Sequence, residues 1–125
     1  MVNNPIQELP DGPEGMDINP YLELWGTLEP NRCKRLEADI WQLQFESEET
    51  ITCDVVSFQG AGAVEDLLKE TIDARAGWSY NLAFDRDMEI FRASVTSTSS
   101  THAGLLSLNP SIALLTAYLN ALRNS

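Results

Sequence analysis

Two short runs of alternating side chains, separated by a polar tripeptide, constrain this chain more than any other feature. Trp41, Leu43 and Phe45 alternate with Gln42, Gln44 and Glu46, and beyond Ser47-Glu48-Glu49 the alternation resumes at Ile51, Cys53 and Val55. A period of two places alternate residues on one face of a strand, so the pair is expected to form a β-hairpin. A turn about residues 47–49 sets Trp41 opposite Val55, Leu43 opposite Cys53 and Phe45 opposite Ile51. All six then face a core, while Gln42, Gln44, Glu46, Thr50, Thr52 and Asp54 meet water. A slip of one residue would reverse both faces. Cys53 falls on the apolar face, where it acts as a small hydrophobe rather than a nucleophile.

The same alternation returns in WSYNLAFDRDMEIFRASV, with Asp85-Arg86-Asp87-Met88 as the turn and Trp78, Tyr80 and Leu82 opposing Val95, Ala93 and Phe91. Between the hairpins, Val64, Leu67, Leu68 and Ile72 recur at helical spacing after Gly60-Ala61-Gly62, and Gly77 supplies a natural stop. At the C-terminus, Asn109-Pro110 starts a helix whose stripe is Ile112, Leu115, Leu119 and Leu122. Residues 19–31 carry two patterns. Asn19-Pro20 suits a helix start with Tyr21, Leu24, Trp25 and Leu28 on one side, whereas Leu22, Leu24, Gly26 and Leu28 alternate as a strand would. Pro30 closes the segment in either case. The elements assemble most simply as an α+β domain: an antiparallel sheet of four to five strands, with two helices packed on one face in the order hairpin, helix, hairpin, helix.

At 125 residues the chain has material for one domain. Residues 1–20 hold Glu8, Asp11, Glu14 and Asp17 with no base, and four prolines interrupt any period. They read as a flexible acidic lead, with Ile6 and Leu9 able to pin it to the body, and residues 21–125 as the folded unit. Acids outnumber bases by 19 to 8, for a formal charge of −11. The first half carries most of it, since residues 1–62 hold 12 acids and 3 bases. Such a balance excludes a general binder of nucleic-acid backbones and opposes docking on anionic membranes. There is no secretory leader pattern, and the two cysteines are not paired as C-x-x-C, so a reduced cytoplasmic setting is expected.

Little in the chain points to catalysis. A single histidine, His102, sits in TSSTHAG beside Ser99, Ser100 and Thr101 without a nucleophile elbow around it. Gly60 and Gly62 follow a strand and open a helix, but residue 65 is Glu where a dinucleotide fingerprint requires Gly. Asp85 and Asp87 lack the later Glu of a calcium loop, Thr96 standing in its place. No cofactor or metal is expected.

The leading expectation is a non-enzymatic protein-binding or adaptor protein that engages a basic partner surface. Glu46, Glu48, Glu49 and Asp54 are its candidate contacts, with Trp25 as a possible aromatic anchor. Two alternatives stand beside it: a small hydrolase or isomerase using His102 with a carboxylate, and a nucleic-acid-mimicking inhibitor. A homodimer is expected through the C-terminal helix, where Leu114 and Tyr118 lie off the main stripe, or through an edge strand at residues 89–97 that lacks Lys and Pro.

Overall fold

The C-terminal helix is the axle of the molecule. In the computed structural model, which describes residues 17–124, this helix runs Pro110–Arg123 and buries every residue from Ser111 to Ala121. A helix this apolar all round has to be enclosed by the rest of its own domain. Its start follows the sequence: Asn109 caps it by accepting the Ser111 N–H at 2.8 Å, and Pro110 occupies the first turn.

In chain order the elements are α1 (Asn19–Leu28), β1 (Cys33–Glu37), β2 (Ile40–Gln44), β3 (Thr50–Asp54), α2 (Phe58–Asp73), β4 (Ser79–Asp85), β5 (Ile90–Thr96), β6 (Thr101–Ala103) and α3, the helix just described. The strands form two separate antiparallel sheets, β1-β2-β3 and β4-β5-β6. This corrects the expectation of one sheet of four to five strands with two helices. The chain ahead of Trp41 turns back at Ala38, which takes a left-handed φ of 37°, so β1 and β2 form a hairpin of their own. The Ser/Thr run after Val95 turns at Ser97, whose N–H donates to the Ser100 carbonyl, and returns as β6. The third helix is α1.

Both expected hairpins exist, and both pair two residues away from the expected register. Trp41 faces Cys53 and Leu43 faces Ile51, while Tyr80 faces Val95, Leu82 faces Ala93 and Phe84 faces Phe91. Because the shift is an even number, each side chain keeps its face. In the first hairpin the cause is a three-residue loop closed by the Phe45 N–H on the Glu49 carbonyl, with Glu48 left-handed at φ 68°. The second turn is held by Asp85 Oδ1, which accepts the N–H groups of Asp87 and Met88.

α1 takes the helical of its two patterns, burying Tyr21, Leu22 and Trp25. Ile18 and Asn19, assigned from sequence to the lead, belong to the body and are buried. Asn19 does not cap its helix. Its amide donates to Asp39 Oδ1 at 2.8 Å and accepts from the Trp41 indole at 2.7 Å, tying α1 to the first sheet. α2 starts earlier than the glycines suggest, at Phe58, with Ser57 accepting the Gly60 N–H. Gly60 and Gly62 therefore lie within it. Ile6 and Leu9 lie outside the described residues.

Buried polar groups on α3 find partners and fix its neighbours. Ser111 donates to the Ala61 carbonyl of α2, Thr116 accepts the Leu105 N–H, and Asn120 donates to the Ala103 carbonyl of β6. Gly104 lies so close to α3 that a Cβ on it would fall 2.1 Å from the Ala113 carbonyl oxygen.

Candidate binding groove

Four residues of α2 spaced as one helical face, Phe58, Ala61, Gly62 and Glu65, form one wall of an open groove of about 640 Å³. The opposite wall is built by Phe91 of β5 with Leu108, Asn109 and Pro110, the loop that leads into α3. Ser111 joins the walls through its bond to Ala61, and Val56 and Ser57 complete the lining. The lining is mostly carbon. Phe58 is 96% exposed, Val56 55% and Leu108 53%. Phe84 stacks edge-on against Phe91 at 5.0 Å and extends the apolar surface along β4. Single exposed apolar residues are ordinary, but a contiguous set around a concavity makes this groove the candidate binding site.

The groove exists because the opening turns of α2 and α3 meet at Ala61 and Ser111. None of its apolar residues was among the expected contacts. Their signal in the sequence was the second face of α2, Phe58-Ala61-Gly62, which lies apart from the buried stripe Val64-Leu67-Leu68-Ile72.

The expected contacts do not gather into one cluster. Glu46, Glu48 and Glu49 sit in the β2–β3 turn, and Asp54 ends β3 at the other extremity, beside Val56. Glu46 is paired with Arg32, and its N–H donates to Glu70 Oε1 on α2, so it serves the fold. Asp54 Oδ1 accepts the Val56 N–H at 3.0 Å and shapes the chain into α2. Glu48 and Glu49 are exposed.

Trp25, Leu114 and Tyr118 are fully buried within the chain, so none is available at its surface. Two of them belong to an internal polar centre. Glu29 Oε1, just past α1, accepts from the Trp25 indole at 2.9 Å and from the Tyr118 hydroxyl at 2.8 Å. Arg75 lies 3.9 Å from Glu29 Oε2, and its guanidinium stacks 4.4 Å from the Trp78 ring. Burial, then the hydrogen bond to Glu29, pushes the Tyr118 hydroxyl well above its ordinary range. The extra width of α3 is thus used inside the domain.

His102 lies on β6, half-buried, with Nε2 2.7 Å from Ser100 Oγ. No carboxylate or thiol among the described residues hydrogen-bonds the ring. Nor do three His, Cys, Asp or Glu side chains among them converge as a metal site would require. Burial pushes the Cys33 thiol up to about 12 and raises that of Cys53, the opposite of what a reactive thiolate needs. No helix among the described residues is long and apolar enough to cross a membrane. No protein-family model, curated protein or solved structure matches the chain.

Proposed function

We propose that the chain is a non-enzymatic protein-binding or adaptor protein that engages a basic partner surface. The observation that carries this is the internal use of its bases. Of eight Lys and Arg, Arg32, Arg35, Lys69, Arg75 and Arg92 are held by Glu46, Glu23, Glu65, Glu29 and Asp85 of the same chain. What an approaching partner meets is the surplus of carboxylates, among them Glu48, Glu49, Asp54, Asp66, Asp73, Asp87 and Glu89, all exposed. A field of one sign speeds encounter with a partner of the other and weakens as salt rises. The nucleic-acid mimic fits less well, because Arg32, Lys34 and Arg35 would interrupt a phosphate-like run of carboxylates at the first sheet. The test is selection from a random peptide display library on the immobilised full chain at low salt. Enrichment of Lys and Arg, with binding that falls as salt is raised, supports the proposal. Enrichment indifferent to charge and salt overturns it.

A second copy of the chain is the other proposed partner, and the observation favouring it is the free edge of β4. The sites named from sequence for self-association are internal: β5 is paired on both sides, and Leu114 and Tyr118 are enclosed. Among the described residues, the backbone of β4 bonds only to β5. Of the other outer strands, β1 carries Lys34, Arg35 and a bulge, β6 is only three residues long, and β3 is a short five residues set between exposed Glu48-Glu49 and Asp54, all of which discourage edge pairing. β4 is seven residues, regular, and free of Pro, Lys and Arg. Its one charge, Asp85, is held by Arg92 at 2.7 Å. An antiparallel two-fold centred on Leu82 would set each Tyr80 against the other copy's Phe84 with no like charges opposed.

A further inference from the structure

We infer that the groove between the opening turns of α2 and α3 receives a partner segment in which large apolar side chains stand beside Lys or Arg. This rests on the protein-binding function proposed above and assigns it a place and a partner chemistry. Phe58 presents an almost wholly exposed aromatic ring on the rim of a concavity with room for a few large side chains. Ser57 and Asn109 take the Gly60 and Ser111 N–H groups for their own helices, leaving the lining between them largely carbon. Apolar side chains are what such a lining buries well.

Charge decides which apolar segment. Glu65 stands in the groove itself, Asp54 accepts the N–H of the lining residue Val56, and Asp66 follows on α2. Asp85, Asp87 and Glu89 belong to the turn next to Phe84 and Phe91. Lys69 pairs with Glu65 and Arg92 with Asp85, so those charges cancel, and the exposed Asp54, Asp66, Asp87 and Glu89 stand against Arg86. A segment carrying acids beside its apolar residues would meet like charges, and one carrying Lys or Arg would pair with them. An apolar centre with a charged rim is also the usual anatomy of a specific protein interface.

The experiment uses two synthetic peptides with the same lysines, one bearing Phe and Leu on one face and the other Ser in their place. Binding to the full-length chain is followed by fluorescence anisotropy at low and moderate salt. The apolar peptide is expected to bind about tenfold or more tightly than the serine peptide. Phe58→Ser and Gly62→Leu should bring the two to equal affinity while preserving weak, salt-sensitive binding of both. Neither substitution threatens the fold, since Phe58 touches water and a Cβ at Gly62 meets nothing within 4 Å. Equal binding of both peptides to the unaltered chain overturns the groove and leaves the acidic partner surface standing. Failure of both to bind at low salt overturns that surface as well. A concentration-dependent dimer that Phe58→Ser abolishes would make the groove an interface between copies and likewise overturn the inference.

Discussion

Tyr118 on α3 donates its hydroxyl to Glu29 Oε1 at 2.8 Å, across 89 residues of sequence. The same oxygen takes the Trp25 indole N–H, so one carboxylate satisfies two buried aromatic donors and locks α1 against α3. Tyr118→Phe should lower stability by about 1.5–2 kcal/mol, the lower part of the range for a hydrogen bond to a charged group. Glu29→Ala should cost more, roughly 3 kcal/mol, because it strands both donors away from water. Urea unfolding followed by tryptophan fluorescence measures both. Equal costs for the two variants would show that Glu29 is not the shared acceptor.

That centre could not be found by reading along the chain. Glu29 sits between a helix end and a proline and reads as a solvated acid, since, Trp25 apart, its partners Tyr118 and Arg75 lie on α3 and just past α2. What was legible were the periodicities: the alternation at Trp41-Leu43 and at Tyr80-Leu82, the stripe of α2, and the Asn109-Pro110 start of α3. Faces survived even where registers did not, because Glu48 and Glu89, both left-handed, set loop lengths that no glycine announces. The turn at Ala38-Asp39 is silent for the same reason. The groove was illegible for a different one. Its walls are the starts of two helices far apart in sequence, and only their packing at Ala61 and Ser111 brings Phe58 beside Leu108.

The glycines divide into those that space requires and those it does not. A Cβ on Gly60 would lie 1.9 Å from the Asp54 carbonyl oxygen, and on Gly104 2.1 Å from that of Ala113. Both contacts are with backbone, which cannot step aside as the end of a side chain can. Gly60→Ala and Gly104→Ala should each cost about 2–3 kcal/mol or prevent folding. Gly62→Ala, with open space around it and a helical position, should instead stabilise by about 0.5–1 kcal/mol. Thermal melts of the three variants test the set, and a destabilised Gly62→Ala would contradict the open wall of the groove.

Stability should decline in alkali before it would from charge alone. Cys33 ionises at about 12 in the folded chain against an ordinary value of 9.0, chiefly because it is buried. Tyr118 is likewise raised above its ordinary 10.0. Above pH 9 the unfolded chain loses these protons while the folded chain keeps them, so unfolding is favoured progressively as pH rises. Below pH 9 neither group contributes a slope. Cys33→Ala should flatten the decline between about pH 9 and 12, and Tyr118→Phe should flatten it above about pH 10. Urea midpoints across that range decide the matter, and an unchanged slope in both variants would mean that these groups titrate alike in the two states.

The β4 edge makes the last prediction, because it states where two chains of charge −11 could meet. Ala83 is exposed on β4, one residue from the proposed two-fold at Leu82, so a lysine there leaves the core intact. In a pair of copies, Ala83→Lys would set a long charged side chain near each strand's centre, where edge strands use lysine to prevent pairing. Its added positive charge lowers the overall repulsion between copies. A loss of association would therefore come from the edge and not from net charge. Ala76→Lys, exposed in the turn ahead of β4, carries the same charge change away from the edge. Light scattering over the micromolar range should give twice the 13.9 kDa chain mass for the unaltered protein and for Ala76→Lys, and the chain mass for Ala83→Lys. A single-chain mass for the unaltered protein throughout would remove the dimer. A dimeric Ala83→Lys would move it to another surface.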